Sequence, residues 1–337
     1  MKITQSNRKF CLVSRPLKLP KDTDFAVVES AVPNPHNGEF LIRNEYASID
    51  PAIRRRLDDA TSYIDAVEPG QAVATTTVGR IVASRADSVA VGDWYTGMHG
   101  IETYSIGRTG GLTRKLDVRS NEPLTVHLTK YGPVGLTAWL GLHEIAHVRA
   151  GETILVSAAA GGVGSLVGQL ARQARGTTIG IAGGADKCRR LIERYGYDHA
   201  IDYRGRSRND MVREIATRAP AGVDVLFENV GGIIMEAGLE TLAPHSRVAL
   251  CGMIADYNLG SLRHGVDLRP LLASRAEIRG FIMADYIPAY ADAISAMRSI
   301  PDLKVDEHIF HGLEQAYAAL SAMFDGSATG KVLLKID

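Results

Sequence analysis

Two rhythms of apolar and polar residues divide the chain. From residue 25 to about residue 126, apolar positions come in short alternating or β-branched runs, among them Phe40-Leu41-Ile42, Val78-Gly79-Arg80-Ile81-Val82 and Val91-Gly92-Asp93-Trp94-Tyr95. Glycine, proline and aspartate cut these runs short, and such closely spaced strand and turn signals predict a mainly β module. From residue 135 apolar runs alternate with amphipathic segments. Strand 153–157 precedes helix 165–175, strand 177–182 precedes helix 187–195, strand 223–227 precedes helix 233–242, and strand 247–251 follows. Strand and helix in alternation predict βαβ units with right-handed crossovers and a parallel sheet covered on both faces. A strand at 277–281, helices near 289–297 and 313–323, and a last strand at 332–336 complete the pattern. No internal repeat or low-complexity tract interrupts it.

The 337 residues suffice for about two domains. Glycine is in excess, 34 residues or about a tenth of the chain against a usual ~7%. Part of that excess falls in one segment, Ile154-Leu155-Val156-Ser157-Ala158-Ala159-Ala160-Gly161-Gly162-Val163-Gly164-Ser165. It reads as a strand, a turn of small residues and a helix start, with A-x-x-G-x-x-G formed by Ala158, Gly161 and Gly164. Glycine lets the backbone approach a pyrophosphate, and the amides and dipole of the helix start receive its charge. A tight βα turn would use the same residues. The flanking strand and helix, at the head of a βαβ series, favour dinucleotide binding. After the next strand, where an acidic residue would hold the ribose hydroxyls of NAD, the chain has Gly183-Gly184-Ala185, then Asp186 and Lys187. A lysine suits a 2′-phosphate, so NADPH is favoured over NADH. Asp186 remains open as a helix N-terminal residue or a displaced ribose ligand.

Charge and cysteine usage exclude other classes. Lys and Arg number 38 and Asp and Glu number 38, so no basic field points to nucleic acid. Cys11, Cys188 and Cys251 are far apart and form neither a disulfide framework nor a structural Cys-rich zinc site. The basic N-terminal residues enclose no apolar block of a signal peptide, and a cytoplasmic protein is predicted. Residues 153–171 carry no charge, and Gly164 with Gly168 spells G-x-x-x-G, yet the run is broken by small residues and Gln169 and is no membrane span. His143-Glu144-Ile145-Ala146-His147 fits H-E-x-x-H, the pattern of a zinc peptidase helix. It stands where the chain turns into the first nucleotide-binding strand and lacks a convincing third ligand. Surface histidines at a helix C-terminus are the better reading.

Several longer stretches resemble the zinc-independent medium-chain dehydrogenase/reductase superfamily. They are Gly151-Glu152-Thr153 through Gly164, Gly180-Ile181-Ala182-Gly183 with Asp186-Lys187-Cys188, Phe227-Glu228-Asn229-Val230-Gly231-Gly232, and Cys251-Gly252-Met253-Ile254 with Tyr257-Asn258. Towards the chain ends the likeness continues in Ser48-Ile49-Asp50-Pro51 with Arg54, Gly135-Leu136-Thr137-Ala138, Gly280-Phe281 and Gly330-Lys331. The nearest branch is that of leukotriene B4 dehydrogenase/prostaglandin reductase, 2-alkenal reductase and curcumin reductase. The resemblance implies an α/β protein, with a Rossmann doubly wound parallel sheet at 128–295 and a GroES-like β-rich domain at 1–127 completed by 296–337. The site would lie in the cleft between them, and the protein would be a homodimer.

For function, the resemblance implies NADPH-dependent reduction of the carbon–carbon double bond of α,β-unsaturated ketones or aldehydes, without a metal. Gly161, Gly162, Val163 and Gly164 would hold the pyrophosphate, and Lys187 and Tyr203 the 2′-phosphate. Asn229, Cys251, Gly252, Met253, Tyr257, Phe281, Ile282 and Met283 would line the ribose and nicotinamide region. Tyr257 matches the tyrosine proposed to hydrogen-bond the carbonyl and help protonate the enolate, its bland alternative being to line the pocket. Three departures from the family pattern, Ala52 after Asp50-Pro51, Ile101 after Gly100, and Ala328, leave the substrate open. Tyr46, Ala52, Tyr63, Tyr95 and Tyr286 are the candidate pocket residues. The alternatives are a quinone reductase, an NADPH-binding protein with little catalysis and, remotely, a zinc peptidase.

Overall fold

The computed structural model describes residues 6–59, 65–258 and 265–337. The chain divides into two compact units, one comprising Met1–Thr129 with Glu307–Asp337 and the other Lys130–Asp306.

In the first unit, β1 (Asn7–Leu12) and β2 (Phe25–Ser30) form an antiparallel hairpin pair. The main sheet begins with β3 (Glu39–Ser48), which leads through the short helix α1 (Ala52–Arg56) to β4 (Ala74–Ser84), β5 (Trp94–Gly100), β6 (Tyr104–Arg108) and β7 (Arg114–Lys115). Its apolar residues fall into separate clusters, one around Phe10, Leu12, Phe25, Ile49 and Leu57 and another around Phe40, Ile42, Ile81 and Tyr95.

The second unit opens with α2 (Pro133–Leu140), which has proline in its first turn, where the missing N–H costs nothing. Then β8 (Thr153–Val156), α3 (Gly162–Gln173), β9 (Thr177–Ala182), α4 (Ala185–Glu193), β10 (His199–Asp202), α5 (Arg208–Arg218), β11 (Val223–Glu228), α6 (Gly232–Glu240), β12 (Leu242–Leu250), α7 (Arg269–Ser274), β13 (Glu277–Gly280) and α8 (Tyr290–Arg298) follow. All strand pairs here are parallel, in the order β10-β9-β8-β11-β12-β13. This is the doubly wound arrangement, with its switch point between β8 and β11. Central strands such as β8 read as unbroken apolar runs because both faces are covered, and Ile154, Leu155 and Val156 have no exposed surface. The chain returns to the first unit with β14 (Glu307–His311), α9 (Ala316–Asp325) and β15 (Lys331–Lys335). The order of the first unit's main sheet is β14-β15-β3-β4-β5-β7, with β6 on β3.

Residues 296–306 lie with the second unit. Met297 is fully buried there, and Asp306 accepts from Arg190, from Arg194 Nε at 2.5 Å and from the Tyr195 hydroxyl at 2.7 Å. Among the described residues, no helix is long and apolar enough to cross a membrane.

Candidate active site

Parallel strands deliver the turns that follow them to one edge of the sheet. At that edge β8 passes into α3 through Ser157–Gly161, where Ala158 takes a left-handed φ of 47° and its carbonyl accepts from the Gly161 amide at 2.9 Å. A Cβ on Gly164 would come within 2.5 Å of the Ala158 carbonyl and 2.6 Å of Ala159 Cα, so no other residue fits between helix and turn. The first amides of α3 have no acceptor inside the helix, and Gly162 and Gly164 put no side chain beside them.

The adjoining turns carry the adenosine-side candidates. The N-cap of α4, Gly184, has φ 97°, and its amide donates to Asp202 Oδ1 at 2.8 Å. That oxygen also accepts from the Arg204 amide at 3.0 Å, and the Gly184 bond leads the causes that hold the Asp202 carboxyl below its usual range. The Tyr203 ring, itself exposed, lies against Gly183, with ring carbon Cε1 3.0 Å from where a Cβ would stand. Lys187 is the third residue of α4. Asp186 is exposed and forms an ion pair with Arg189 one turn on, which accounts for it as a helix residue. One cation escaped the sequence reading: the Arg204 guanidinium lies over Gly184, 3.2 Å from the position of a Cβ. Its signal was the Asp202-Tyr203-Arg204 run just after a strand.

On the other side of the switch point, the Asn229 amide donates to Ser157 Oγ and its Nδ2 to the Ser157 carbonyl, both at 2.7 Å. The 251–257 loop is laced onto this turn. Cys251 and Gly252 donate to the Glu228 carbonyl, Ile254 to that of Asn229 and Ala255 to that of Val230. Tyr257 folds back over its own loop, its hydroxyl accepting from the Met253 amide at 3.4 Å. Phe281 follows β13 and meets Phe227 edge-on at 6.2 Å, and a Cβ on Gly141 would strike both rings. Ile282 precedes a 3₁₀ turn at Met283–Ala289, and Met283 accepts from the Tyr290 hydroxyl.

The pocket candidates are less concentrated. Tyr286 belongs to the same unit, its hydroxyl accepting from Arg279 at 3.1 Å. In the first unit, Ala52 opens α1, Tyr46 packs against the cluster that holds Val78, Leu128 and Leu333, and Tyr63 lies outside the described residues. Tyr95 belongs to the core, not to a pocket wall: it is 4% exposed and packs on Phe40 at 5.0 Å. Ahead of α1, Lys331 Nζ donates to the Ile49 carbonyl at 2.5 Å and to Asp50 Oδ1 at 2.8 Å, which joins two of the quoted motifs and fixes the segment leading to Ala52.

The H-E-x-x-H segment does not hold its two rings on one helical face. Beyond α2 the chain runs through a π turn at Gly141–Ile145, and His147 has left the helix with φ 47°. His143 packs on Trp139 at 4.7 Å, and burial holds its imidazole below the usual range. Among the described residues, no three His, Cys, Asp or Glu side chains group closely enough to hold a metal ion.

Comparison with known proteins fits this geometry. Residues 8–114 match the family model described as the N-terminal domain of oxidoreductase, and residues 162–299 match the one described as zinc-binding dehydrogenase. The NADPH-dependent curcumin reductase of Escherichia coli is 33% identical over 98% of this chain and 97% of its own. The NADP-dependent 2-alkenal reductase of Nicotiana tabacum is 32% identical over 98% of both. The crystal structure of CurA from Vibrio vulnificus in complex with NADPH superposes with a TM-score of 0.91 at 33% identity, over 98% of this chain and 99% of that one.

Proposed function

The chain belongs to the medium-chain dehydrogenase/reductase superfamily, in the branch that holds the curcumin, 2-alkenal and prostaglandin reductases, and we propose that it uses NADPH to reduce the carbon–carbon double bond of α,β-unsaturated ketones or aldehydes. The observation that carries the reading is the company at one sheet edge. A glycine turn suited to a pyrophosphate stands beside Lys187, Tyr203 and Arg204, and Gly183-Gly184 replaces the acidic residue that would select NAD.

In this reading the first amides of α3 receive the pyrophosphate, and its glycines keep side chains out of the way. Lys187 and Arg204 supply the positive charge for a 2′-phosphate, with Tyr203 as a face for the adenine end. Asn229, held by Ser157, and the 251–254 segment, held by the carbonyls of Glu228 and Asn229, present the nicotinamide side with a surface already in place. NADPH, when bound, supplies the hydride for the β-carbon. The chain must then stabilise the negative charge that develops on the carbonyl oxygen, and a hydrogen-bond donor preset at that oxygen lowers the barrier. Tyr257 is that donor in this reading: its hydroxyl stands at the 251–257 loop, where it meets the Met253 amide, and a phenol O–H can donate to a developing oxyanion. The donor need only stabilise the enolate, whose α-carbon then takes its proton from solvent, so no side chain of ordinary carboxylic acidity is required.

The same reading includes a homodimer. β13 ends the order of the described sheet and is exposed along its whole length, with Ile278 on it 40% exposed, and Leu268 and Leu272, just before and in the preceding helix α7, are 57% and 81% exposed. The three cysteines are free thiols, which supports a reducing, cytoplasmic setting. The test is NADPH consumption with a panel of enones, enals and quinones, with identification of the product.

A further inference from the structure

One buried ionisable residue at this edge serves the reading above only through its main-chain carbonyl, and its carboxyl has no role in it. Glu228, the last residue of β11, has no exposed surface. Its Oε1 accepts from the Val230 amide at 2.6 Å and the Gly231 amide at 2.7 Å. Its carbonyl accepts from the Cys251 amide at 2.9 Å and the Gly252 amide at 3.1 Å. One residue thus holds both loops of the nicotinamide side, the turn with its side chain and the 251–257 loop with its main chain. Its second oxygen, Oε2, is buried without a hydrogen-bond partner.

The surroundings offer that oxygen no compensating charge. The Ser157 hydroxyl, which accepts from the Asn229 amide and lies 3.4 Å from the Phe227 carbonyl, is a neutral neighbour that pulls the carboxyl down but brings no charge. The Asp256 carboxylate lies against Gly231, 2.7 Å from where a Cβ would stand, and brings a like charge. The Cys251 thiol, pushed up to about 12 by burial and then by Glu228, stays neutral. An ionised carboxylate with one oxygen unpartnered in a dry interior is costly, and protonation removes the charge. Burial accordingly lifts the Glu228 carboxyl to about 7, against the pull of the Gly231 and Val230 amides and the Ser157 hydroxyl.

We propose that Glu228 is a positioning residue for the nicotinamide-side loops, and that its proton couples cofactor binding to pH: NADPH binds best to the form in which Glu228 is a neutral acid. The inference rests on the NADPH reading, since it is the phosphates of that ligand that an ionised Glu228 would oppose. Glu228→Gln is the informative variant, because its amide oxygen keeps both backbone donors while its NH₂ stands in for the protonated oxygen.

The test is fluorescence titration of NADPH into wild type and Glu228→Gln from about pH 5.5 to about 8.5, about three units that bracket the group's range. Titration of the ligand's own 2′-phosphate is common to both proteins and cancels in their ratio. The ratio of dissociation constants, wild type over Gln, is expected to rise from about 1 to about 10 across that range. A ratio independent of pH overturns the inference while leaving the NADPH reading intact; a wild type that binds NADPH at no pH overturns both. Calorimetry of wild type in two buffers of different ionisation enthalpy gives a reading that needs no variant. Net proton uptake on NADPH binding near pH 7.5 is expected, and zero uptake or net release contradicts the proposal.

Discussion

The hydroxyl of Tyr197 donates to the Gly164 carbonyl at 2.6 Å, and its ring fills the space that a side chain at Gly168 would need. The Gly164–Gly168 spacing is thereby explained by a buried aromatic that locks α3 onto the sheet at the level of the phosphate turn.

Gly168→Ala sets two effects against each other. Alanine in a helix interior gains up to ~1 kcal/mol over glycine. Here its Cβ would stand 2.2 Å from the fully buried Tyr197 ring, and overpacking of that kind costs about 1–3 kcal/mol or more. Urea unfolding should show net destabilisation. Tyr197→Phe should cost about 1 kcal/mol through the lost hydrogen bond to the Gly164 carbonyl, and stability equal to wild type in both variants would remove the lock.

Charge reversal at the adenosine side should separate the two nicotinamide cofactors. Lys187→Glu and Arg204→Glu are each expected to weaken NADPH about tenfold or more while changing NADH far less. Binding titrations with both ligands decide this, and equal losses for the two would withdraw the 2′-phosphate assignment.

Tyr257→Phe keeps the ring and removes the hydroxyl. If that hydroxyl stabilises the enolate, kcat should fall about 10- to 100-fold while the dissociation constant for NADPH holds. An unchanged kcat would reduce Tyr257 to part of the wall.

His99 predicts acid sensitivity in the first unit. Its Nδ1 pairs with Thr77 Oγ1 at 2.9 Å, its Nε2 is buried without a partner, and burial lowers the imidazole to about 4. A histidine whose folded pKa is depressed contributes its stability in full above its unfolded value of about 6.5. That contribution, up to roughly 3 kcal/mol, is lost as pH falls from there towards 4. Urea melts at about pH 7 and about pH 4.5 should show the loss in wild type and a smaller one in His99→Gln. The same loss in both would place the acid sensitivity elsewhere.

Legibility in the sequence tracked how local each feature is. The phosphate turn could be read because strand, small residues and helix start are contiguous from Ile154 to Ser165. β10 and α5 gave little signal: β10 is short, and α5 is heavily charged and buries only Met211 and Ile215. The H-E-x-x-H spacing suggested an i, i+4 pair, but a π turn and the left-handed His147 depend on packing that spacing does not encode. Arg204 and Glu228 were passed over for a related reason. Their significance comes from which loops fold over Gly184 and around the end of β11, and those contacts join residues up to some twenty positions apart. Tyr95 was one of the candidate pocket aromatics, whereas strand alternation turns it inward onto Phe40.

The central claim concerns the bond that is reduced. Incubation with NADPH and a mixed panel of α,β-unsaturated ketones, enals and quinones, followed by mass spectrometry of the products, tests it most directly. The account predicts the saturated ketone or aldehyde, with its carbonyl intact, formed in equal amount to the NADPH consumed. Hydroquinone as the sole product, an allylic alcohol, or NADPH left unspent across the panel would contradict it.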